Sequence, residues 1–240
     1  YVVDNMRMMA TNLPWIVGNE IRPEVSWNFG GSWFYQFELF KRKASLNADF
    51  YHTLFTNQLV VDRDEDPSMI IFDNLQGQSF SNAFQVDFKF EPYRNLEIKM
   101  AYKYLDVRAT MGGELMEKMM IPRHRGFVNV GYTTRNNRWE FDATASVYGE
   151  RRLAQVRLPD GTLSTDNRSD ILPMINAQIT HVYKRFDFYV GGENLLDFRL
   201  ENPIIDAQNP FGDHFDATRV WAPIVGINIY AGIRFSIGKD

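Results

Sequence analysis

The stretch INIYAGIRFSI, residues 227–237, decides the fold class of this chain. Ile227 and every second residue after it are apolar, and the residues between them are asparagine, tyrosine, glycine, arginine and serine. A period of two residues places the two sets on opposite faces of a β-strand, whereas a helix would mix them. The stretch therefore predicts a strand with one apolar face and one polar face.

The same alternation recurs upstream of this stretch. It marks residues 25–39, 46–51, 84–90, 96–104, 127–133, 139–148, 175–183 and 186–191. Together with the closing stretch these segments give nine predicted strands. Their length, on the order of ten residues, is what a tilted strand needs to cross a bilayer.

The connections between the predicted strands alternate in length. Short turns are predicted at residues 41–43, 92–95, 134–137 and 184–185, and long polar segments at 62–74, 110–125, 149–170 and 197–225. Short turns at one end and long loops at the other are typical of an outer-membrane barrel, with the long loops outside the cell. A soluble sandwich would have mostly short loops at both ends. We therefore predict an all-β fold, a transmembrane antiparallel β-barrel.

Composition narrows the function classes. Aromatic residues make up 15% of the chain, there is no cysteine, and the formal net charge is -4. A membrane barrel combines an apolar outer band with a polar interior, so it is rich in aromatics without being hydrophobic throughout. The small, mixed charge argues against a nucleic-acid partner. The lack of cysteine excludes disulfides and thiolate metal sites.

The start of the sequence leads us to expect further strands ahead of it. Residues 1–22 are predicted to be an extracellular loop or the end of a preceding strand, and residues 23–240 the C-terminal part of a barrel. No secretory signal opens the chain. Nine strands cannot close a single-chain bacterial barrel, because such barrels have even strand numbers and open edges are not tolerated in lipid.

A series of short motifs follows these strands and loops. They are PEVSWNFG at 23–30, LNADFYHT at 46–53, NQLVVD at 57–62, YKYLDV at 102–107, PRHR at 122–125, GENLL at 192–196 and a closing series over 202–235. Their order and spacing resemble TonB-dependent outer-membrane receptors of the Bacteroidetes type. The GENLL motif falls where such receptors enter their last long loop.

The resemblance implies a 22-stranded barrel with a plug inside, of which this chain would cover the last nine strands. Its function would be energised uptake of a scarce nutrient, such as a siderophore, cobalamin, haem, a metal chelate, a glycan or a peptide. The implied partners are the inner-membrane TonB motor complex, reached through a plug and coupling box not in this sequence, the missing N-terminal strands, outer-membrane lipid and a surface lipoprotein lid. A passive porin-like channel and a barrel-anchored adhesin or enzyme are the alternatives. No catalytic constellation stands out, so enzymatic activity is not predicted.

The candidate ligand-binding residues lie in the long loops or at the strand ends that lead into them. They combine aromatic faces with charge, as expected of side chains that capture a ligand above the lumen mouth. They are Tyr148, Arg151, Asp213, His214, Asp216 and Trp221.

Two further groups of loop residues contain metal-ligating atoms. Asp62, Asp64, Asp66 and Asp73 have offsets that mimic positions in a calcium loop, although Pro67 stands where the turn needs glycine. A solvated acidic loop is the alternative, and no other cofactor is expected. A set of methionines suits either copper(I) binding or apolar packing, of which packing is favoured; it comprises Met6, Met8, Met9, Met116, Met119 and Met120.

Overall fold

The computed structural model describes residues 11–18 and 20–237, and within them the chain is built of strands and irregular loops. The strands are β1 (Trp15–Val17), β2 (Val25–Leu39), β3 (Arg42–Asn57), β4 (Leu59–Asp62), β5 (Ile70–Asn74), β6 (Ser79–Tyr93), β7 (Leu96–Met111), β8 (Glu114–Glu117), β9 (His124–Thr133), β10 (Trp139–Tyr148), β11 (Leu172–Tyr183), β12 (Phe186–Glu193) and β13 (Asn228–Phe235). The described residues contain no helix of the length and apolar character that crossing a bilayer requires.

Nine strands form one continuous antiparallel sheet. Its order is β2-β3-β6-β7-β9-β10-β11-β12-β13, and β8 pairs with β7 beside this path. Each of the nine is one of the strands predicted from the alternating pattern, so the predicted antiparallel all-β fold is confirmed. Because every strand pairs with the strand before it in this path, hairpin connections alone build the sheet.

The two faces of the sheet differ as the alternation predicts. On the apolar face the rings of Trp33, Tyr35 and Phe37 stack in succession, with centroids 5.7 and 5.6 Å apart. On the polar face Glu97 accepts ion pairs from Lys89 and Lys99. Protein does not cover much of this apolar face, since large side chains such as Phe84, Tyr102 and Phe141 are about 40% exposed. Such a broad exposed apolar surface is expected of a face that meets lipid.

Short connections lie at one end of the sheet, which we call the turn end. The first turn is formed by Phe40 and Lys41, both with positive φ, so the predicted turn at 41–43 was placed one residue too late. Positive φ at two consecutive residues is the geometry of the tight hairpin turn whose twist matches the strands. The other turns lie where the sequence predicted them, and each contains a residue with positive φ, namely Asn95, Asn137 or Lys184.

The opposite end, which we call the loop end, holds all four long connections. We call these connections the first to fourth long loops, at residues 58–78, 112–123, 149–171 and 194–227. Two of them are not the plain loops that the sequence predicted. The first contains β4 and β5, which form a separate three-stranded sheet with β1, and the second contains β8. Backbone hydrogen bonds within these additions satisfy polar groups that a packed loop would otherwise bury unpaired.

The fourth loop begins at Asn194, the asparagine of the GENLL motif. Its side chain donates to the carbonyl of Phe198 at 2.8 Å and accepts from the N–H of the same residue at 3.1 Å. Asn194 has a positive φ, which asparagine tolerates better than most residues. The motif therefore has a local structural role, which is to turn the chain out of β12.

The buried apolar residues of the described chain lie mainly at the loop end. They are Ile70, Phe72, Ala109, Met111, Leu153, Ala154, Val156 and Leu172, with Ala44 at the turn end. The four long loops and β1 therefore pack into a compact body, which we call the loop cap. The sheet positions this cap but contributes few buried residues to it.

Candidate ligand-binding site at the loop end

Three of the six predicted ligand-binding residues meet at the loop end. The guanidinium carbon of Arg151 lies 5.8 Å from the ring centroid of Tyr148 and 5.7 Å from that of Trp221. Arg151 also donates to the backbone carbonyl of Trp221. Phe198 packs edge-on against Trp221 at 6.0 Å. The result is a half-buried aromatic cluster with a cation between two rings, which joins the third and fourth loops.

Asp216 has a different environment. Only 1% exposed, it pairs with Arg63 at 2.6 Å and accepts from the N–H and the hydroxyl of Thr218. Arg63 is itself 6% exposed and also donates to the Thr218 hydroxyl. A carboxylate so enclosed cannot reach a ligand from the loop surface. Asp216 therefore holds the first loop to the fourth, and its contacts in the structure give no support to its assignment as a ligand contact, which stays a prediction.

Arg63 is the partner that sequence reasoning missed. The available signal was its position in Asp62-Arg63-Asp64-Glu65-Asp66, where it is the one base among four acids. Its partner lies 153 residues away along the chain, and no local pattern could identify it.

The remaining predicted contacts, Asp213 and His214, lie on the same loop as Asp216. Asp213 is exposed and His214 half-buried. Neither takes part in the cluster around Arg151. Their assignment as ligand contacts stays a prediction.

The structure does not bring the four aspartates of the proposed calcium loop to a common point. No group of three or more His, Asp or Glu side chains suited to a metal occurs among residues 11–18 and 20–237. Asp62 accepts the backbone N–H groups of Asp64, Glu65 and Gly112. Asp64 forms a two-pronged ion pair with Arg152 at 2.6 and 2.7 Å.

The other two aspartates likewise hold their own chain segments. Asp66 accepts from the hydroxyl and the N–H of Ser68, and these two hydrogen bonds hold the pKa of its carboxyl below the ordinary value. Asp73 accepts from Asn74 and from the Gln76 side chain. The four carboxylates therefore act in separate structural contacts, and the calcium site receives no support from the geometry.

Arginines of the third loop complete the links between the loops. Arg152 binds Asp64 of the first loop and donates to the Glu117 carbonyl of the second at 2.7 Å. Arg168 pairs with the Glu117 carboxylate at 3.1 Å. With the Arg63–Asp216 and Arg151–Trp221 contacts, every long loop is tied to at least one other. Paired ions with two hydrogen bonds are the strongest of such links.

Beneath these links lies a cavity of about 110 Å³. Its lining residues come from all four loops and from the loop end of β7. They are Gln58, Leu59, Val60, Val61, Arg63, Ile70, Ala109, Met111, Lys118, Met119, Met120, Leu153, Ala154, Thr218 and Arg219. Met119 and Met120 of the predicted methionine set are thus wall residues of this cavity, whereas Met6, Met8 and Met9 lie outside the described residues.

Comparison with known proteins gives one family and one fold. The family model "TonB dependent receptor-like, beta-barrel" matches residues 6–201. No curated protein sequence gives a significant match.

Solved structures match over most of this chain. The FrpB iron transporter from Neisseria meningitidis aligns at a TM-score of 0.61 and 10% identity, covering 92% of this chain and 32% of that one. The copper transporter OprC aligns at 0.64 and 13%, covering 91% and 32%. The ferric-catecholate import receptor Fiu from E. coli K12 aligns at 0.59 and 14%, covering 89% and 28%. The chain therefore spans about a third of the length of these structures and shares their fold.

Proposed function

Because this chain belongs to the TonB-dependent receptor β-barrel family, which it matches over residues 6–201, we propose that it forms part of an outer-membrane receptor for energised nutrient uptake. The apolar face of the sheet meets the lipid of the outer membrane, and the loop end faces the outside of the cell. The ligand would be bound at the loop end and then pass through the barrel.

One observation carries this proposal: all four long loops lie at one end of the sheet and are tied into a single body. The ties join segments far apart in sequence, such as Asp64 to Arg152 and Arg63 to Asp216. A passive pore has no need for an ordered cap of this kind, whereas a receptor needs binding groups held in a fixed arrangement before the ligand arrives. Rigid loops on a regular scaffold are where binding residues commonly lie.

The aromatic cluster around Arg151 is the part of the cap that we assign to ligand contact. Tyr148 leads from β10 into the third loop, and Trp221 comes from the fourth, so a ligand there would touch both loops. Aromatic rings and a guanidinium bind flat or anionic surfaces well. Asp213 and His214 are proposed as further contacts from the exposed part of the fourth loop.

The proposed partners follow from the family. They are the inner-membrane TonB motor complex, a plug with its coupling box, and the remaining strands of a 22-stranded barrel. A surface lipoprotein lid over the loop end is a further candidate. The ligand classes covered are siderophore, cobalamin, haem, metal chelate, glycan and peptide, and no catalytic step is proposed.

Uptake measurements in cells that carry the intact receptor test this function. Deleting the motor complex should abolish uptake, and the double variant Tyr148→Ala/Trp221→Ala should weaken ligand binding by about tenfold or more, because it removes two aromatic contacts. Tyr183→Ala is the matched control, since Tyr183 is an exposed tyrosine at the turn end with Lys184 5.4 Å from its ring.

Two results would contradict the proposal. If every nutrient tested still enters cells that lack the motor, the protein is a passive channel. If the control variant loses as much binding as the double variant, the ligand does not bind at the cluster around Arg151.

A further inference from the structure

The cavity beneath the loop links has an unbalanced charge. Arg63, Lys118 and Arg219 line it, and no aspartate or glutamate does so within the part of the chain that the structure describes. Asp216 forms an ion pair with Arg63, but it is 1% exposed and is not among the residues that line the cavity. Asp166 lies near Arg219 and also acts on its charge, so three cations against two carboxylates leave net positive charge in a partly desolvated space. Such a space favours an anion.

Two of these cations also retain buried N–H groups. Among the described residues, the Nε of Arg63 and the Nε of Arg219 have no hydrogen-bond partner. The Arg63 side chain is more than nine-tenths buried, with 7% exposure. A buried donor without an acceptor is costly, so native structures seldom keep one unless another group binds it.

The environment of Arg219 agrees with this picture. Burial lowers the pKa of its guanidinium, the charges of Asp166 and Asp216 raise it, and the positive charge of Arg63 lowers it again. The two arginines therefore repel each other. An anion between them would relieve that repulsion.

Apart from Gln58 and Thr218, the rest of the wall is apolar. Ile70, Met111, Leu153 and Ala154 are buried there, each no more than 7% exposed. A bare inorganic anion would leave this surface without a partner. The volume of about 110 Å³ is smaller than the roughly 150 Å³ of a cavity that accepts benzene. It therefore suits a ligand group of only a few heavy atoms.

We propose that this cavity binds a carboxylate that carries a short apolar chain. The carboxylate would accept from Arg63, Lys118 and Arg219, and the chain would pack against the aliphatic and methionine wall. A free short-chain acid and the C-terminal end of a peptide both present this group. The inference goes beyond the cluster around Arg151, and it relies on the proposed function only for the side of the membrane from which the ligand arrives.

Calorimetry on the purified intact receptor in detergent tests the site with defined probes. Butyrate and the blocked dipeptide N-acetyl-Gly-Val are the carboxylate probes, butyramide and N-acetyl-Gly-Val amide are their neutral counterparts, and inorganic phosphate is the anion without a chain. We expect at least one carboxylate probe to bind with one-to-one stoichiometry while its amide and phosphate do not. Butyrate binding indicates a free acid as the natural ligand, and binding of the dipeptide alone indicates a peptide end.

Two variants locate the binding. Lys118→Gln and Arg219→Gln should each weaken the binding probe by about tenfold or more, the loss expected for one charge-assisted hydrogen bond. The matched control is Arg157→Gln, which removes an exposed arginine of the third loop that donates to the carbonyl of Gly161. Heat-modifiability on gels shows that each variant still assembles. Ala154→Leu, which fills the cavity without changing its charge, should also abolish binding.

Several outcomes overturn the site: neither carboxylate probe binds, phosphate binds as tightly, or the assembled Lys118 and Arg219 variants bind like the parent. None of these depends on uptake. If uptake does not depend on the motor, the proposed function is refuted, but the proposed cavity ligand is not. If uptake depends on the motor and calorimetry detects no carboxylate binding, only the cavity ligand is refuted.

Discussion

The sheet and the loop cap are held together in different ways. In the sheet each strand pairs with its neighbour along the chain, and the register runs without a break through β9, β10 and β11. In the cap the decisive contacts join residues 88 and 153 positions apart, in the pairs Asp64–Arg152 and Arg63–Asp216. The sheet is therefore repetitive and locally specified, whereas the cap depends on a few buried links. Substitutions in the sheet and in the loop cap should therefore have different effects on stability and assembly.

The largest effect should follow from removing one partner of the most buried link. Arg63→Met leaves the Asp216 carboxylate buried without its counter-ion, which costs about 3–5 kcal/mol. The cap should loosen while the sheet remains assembled. Limited proteolysis of the intact receptor should then cleave within residues 194–227, with heat-modifiability unchanged.

A second substitution serves as the control for this test. Arg63→Met combined with Asp216→Asn removes the uncompensated charge and should recover part of the protease resistance. If the single variant resists protease like the parent, the buried pair does not hold the cap.

A somewhat smaller effect should follow from a charge on the apolar face of the sheet. Ala143 faces Val130 and Ala177 across the neighbouring strands. Ala143→Arg should cost roughly 2–4 kcal/mol if the residue lies at mid-bilayer, and assembly should fail. Thr144, one residue later, lies between Asn129 and Asn176, so Thr144→Arg should assemble. Equal surface expression of the two variants would show that the polar face does not line the lumen.

A smaller effect is expected where an aromatic ring covers a glycine in the sheet. A Cβ at Gly191 would lie only 2.4 Å from the Tyr230 ring, whereas one at Gly131 would meet its nearest atom at 3.7 Å. Gly191→Ala should therefore lower stability by about 1–3 kcal/mol through overpacking. Gly131→Ala should be neutral or slightly stabilising, because alanine loses less backbone entropy than glycine. Thermal unfolding of both variants in detergent compares them, and an equal change in Tm would refute the packing argument.

The smallest effect concerns an exposed carboxylate in the fourth loop. The hydrogen bond from Arg199, and then that from the Ile227 N–H, lower the pKa of Asp197 from its ordinary 3.8. A lowered folded-state pKa contributes stability that is present above pH 3.8 and lost as the pH falls through the folded value. The protease resistance of residues 194–227 should therefore decline slightly in that acid window. Asp197→Asn should remove this step, and an unchanged acid response would show that Asp197 does not contribute to it.

The sequence predicted the sheet well, because the patterns that specify strands and turns involve only residues close together along the chain. Alternation specifies which residues form strands, and Asn95, Asn137 and Lys184 lie at the predicted turns. Phe40 is the exception, since a phenylalanine with positive φ gives no turn signal and the first turn was placed too late. In the loops, period-two patterns over four or five residues are too short to identify a strand, so the sequence alone does not predict β5 and β8.

The candidate site shows the same difference between what the sequence predicts and what only the tertiary structure decides. The sequence, through its alternation of short turns and long loops, placed Tyr148, Arg151 and Trp221 at the loop end, where the structure brings them together. It also grouped Asp62, Asp64, Asp66 and Asp73 by their spacing, although each carboxylate serves a separate contact. It set Asp216 on the surface, whereas Arg63 encloses it. Strand, face and turn were determined by the sequence itself, since neighbours along the chain specify them. The partner of each loop charge was decided only by the tertiary structure, because burial, which makes an ion pair necessary, depends on segments that meet only when the whole cap has packed.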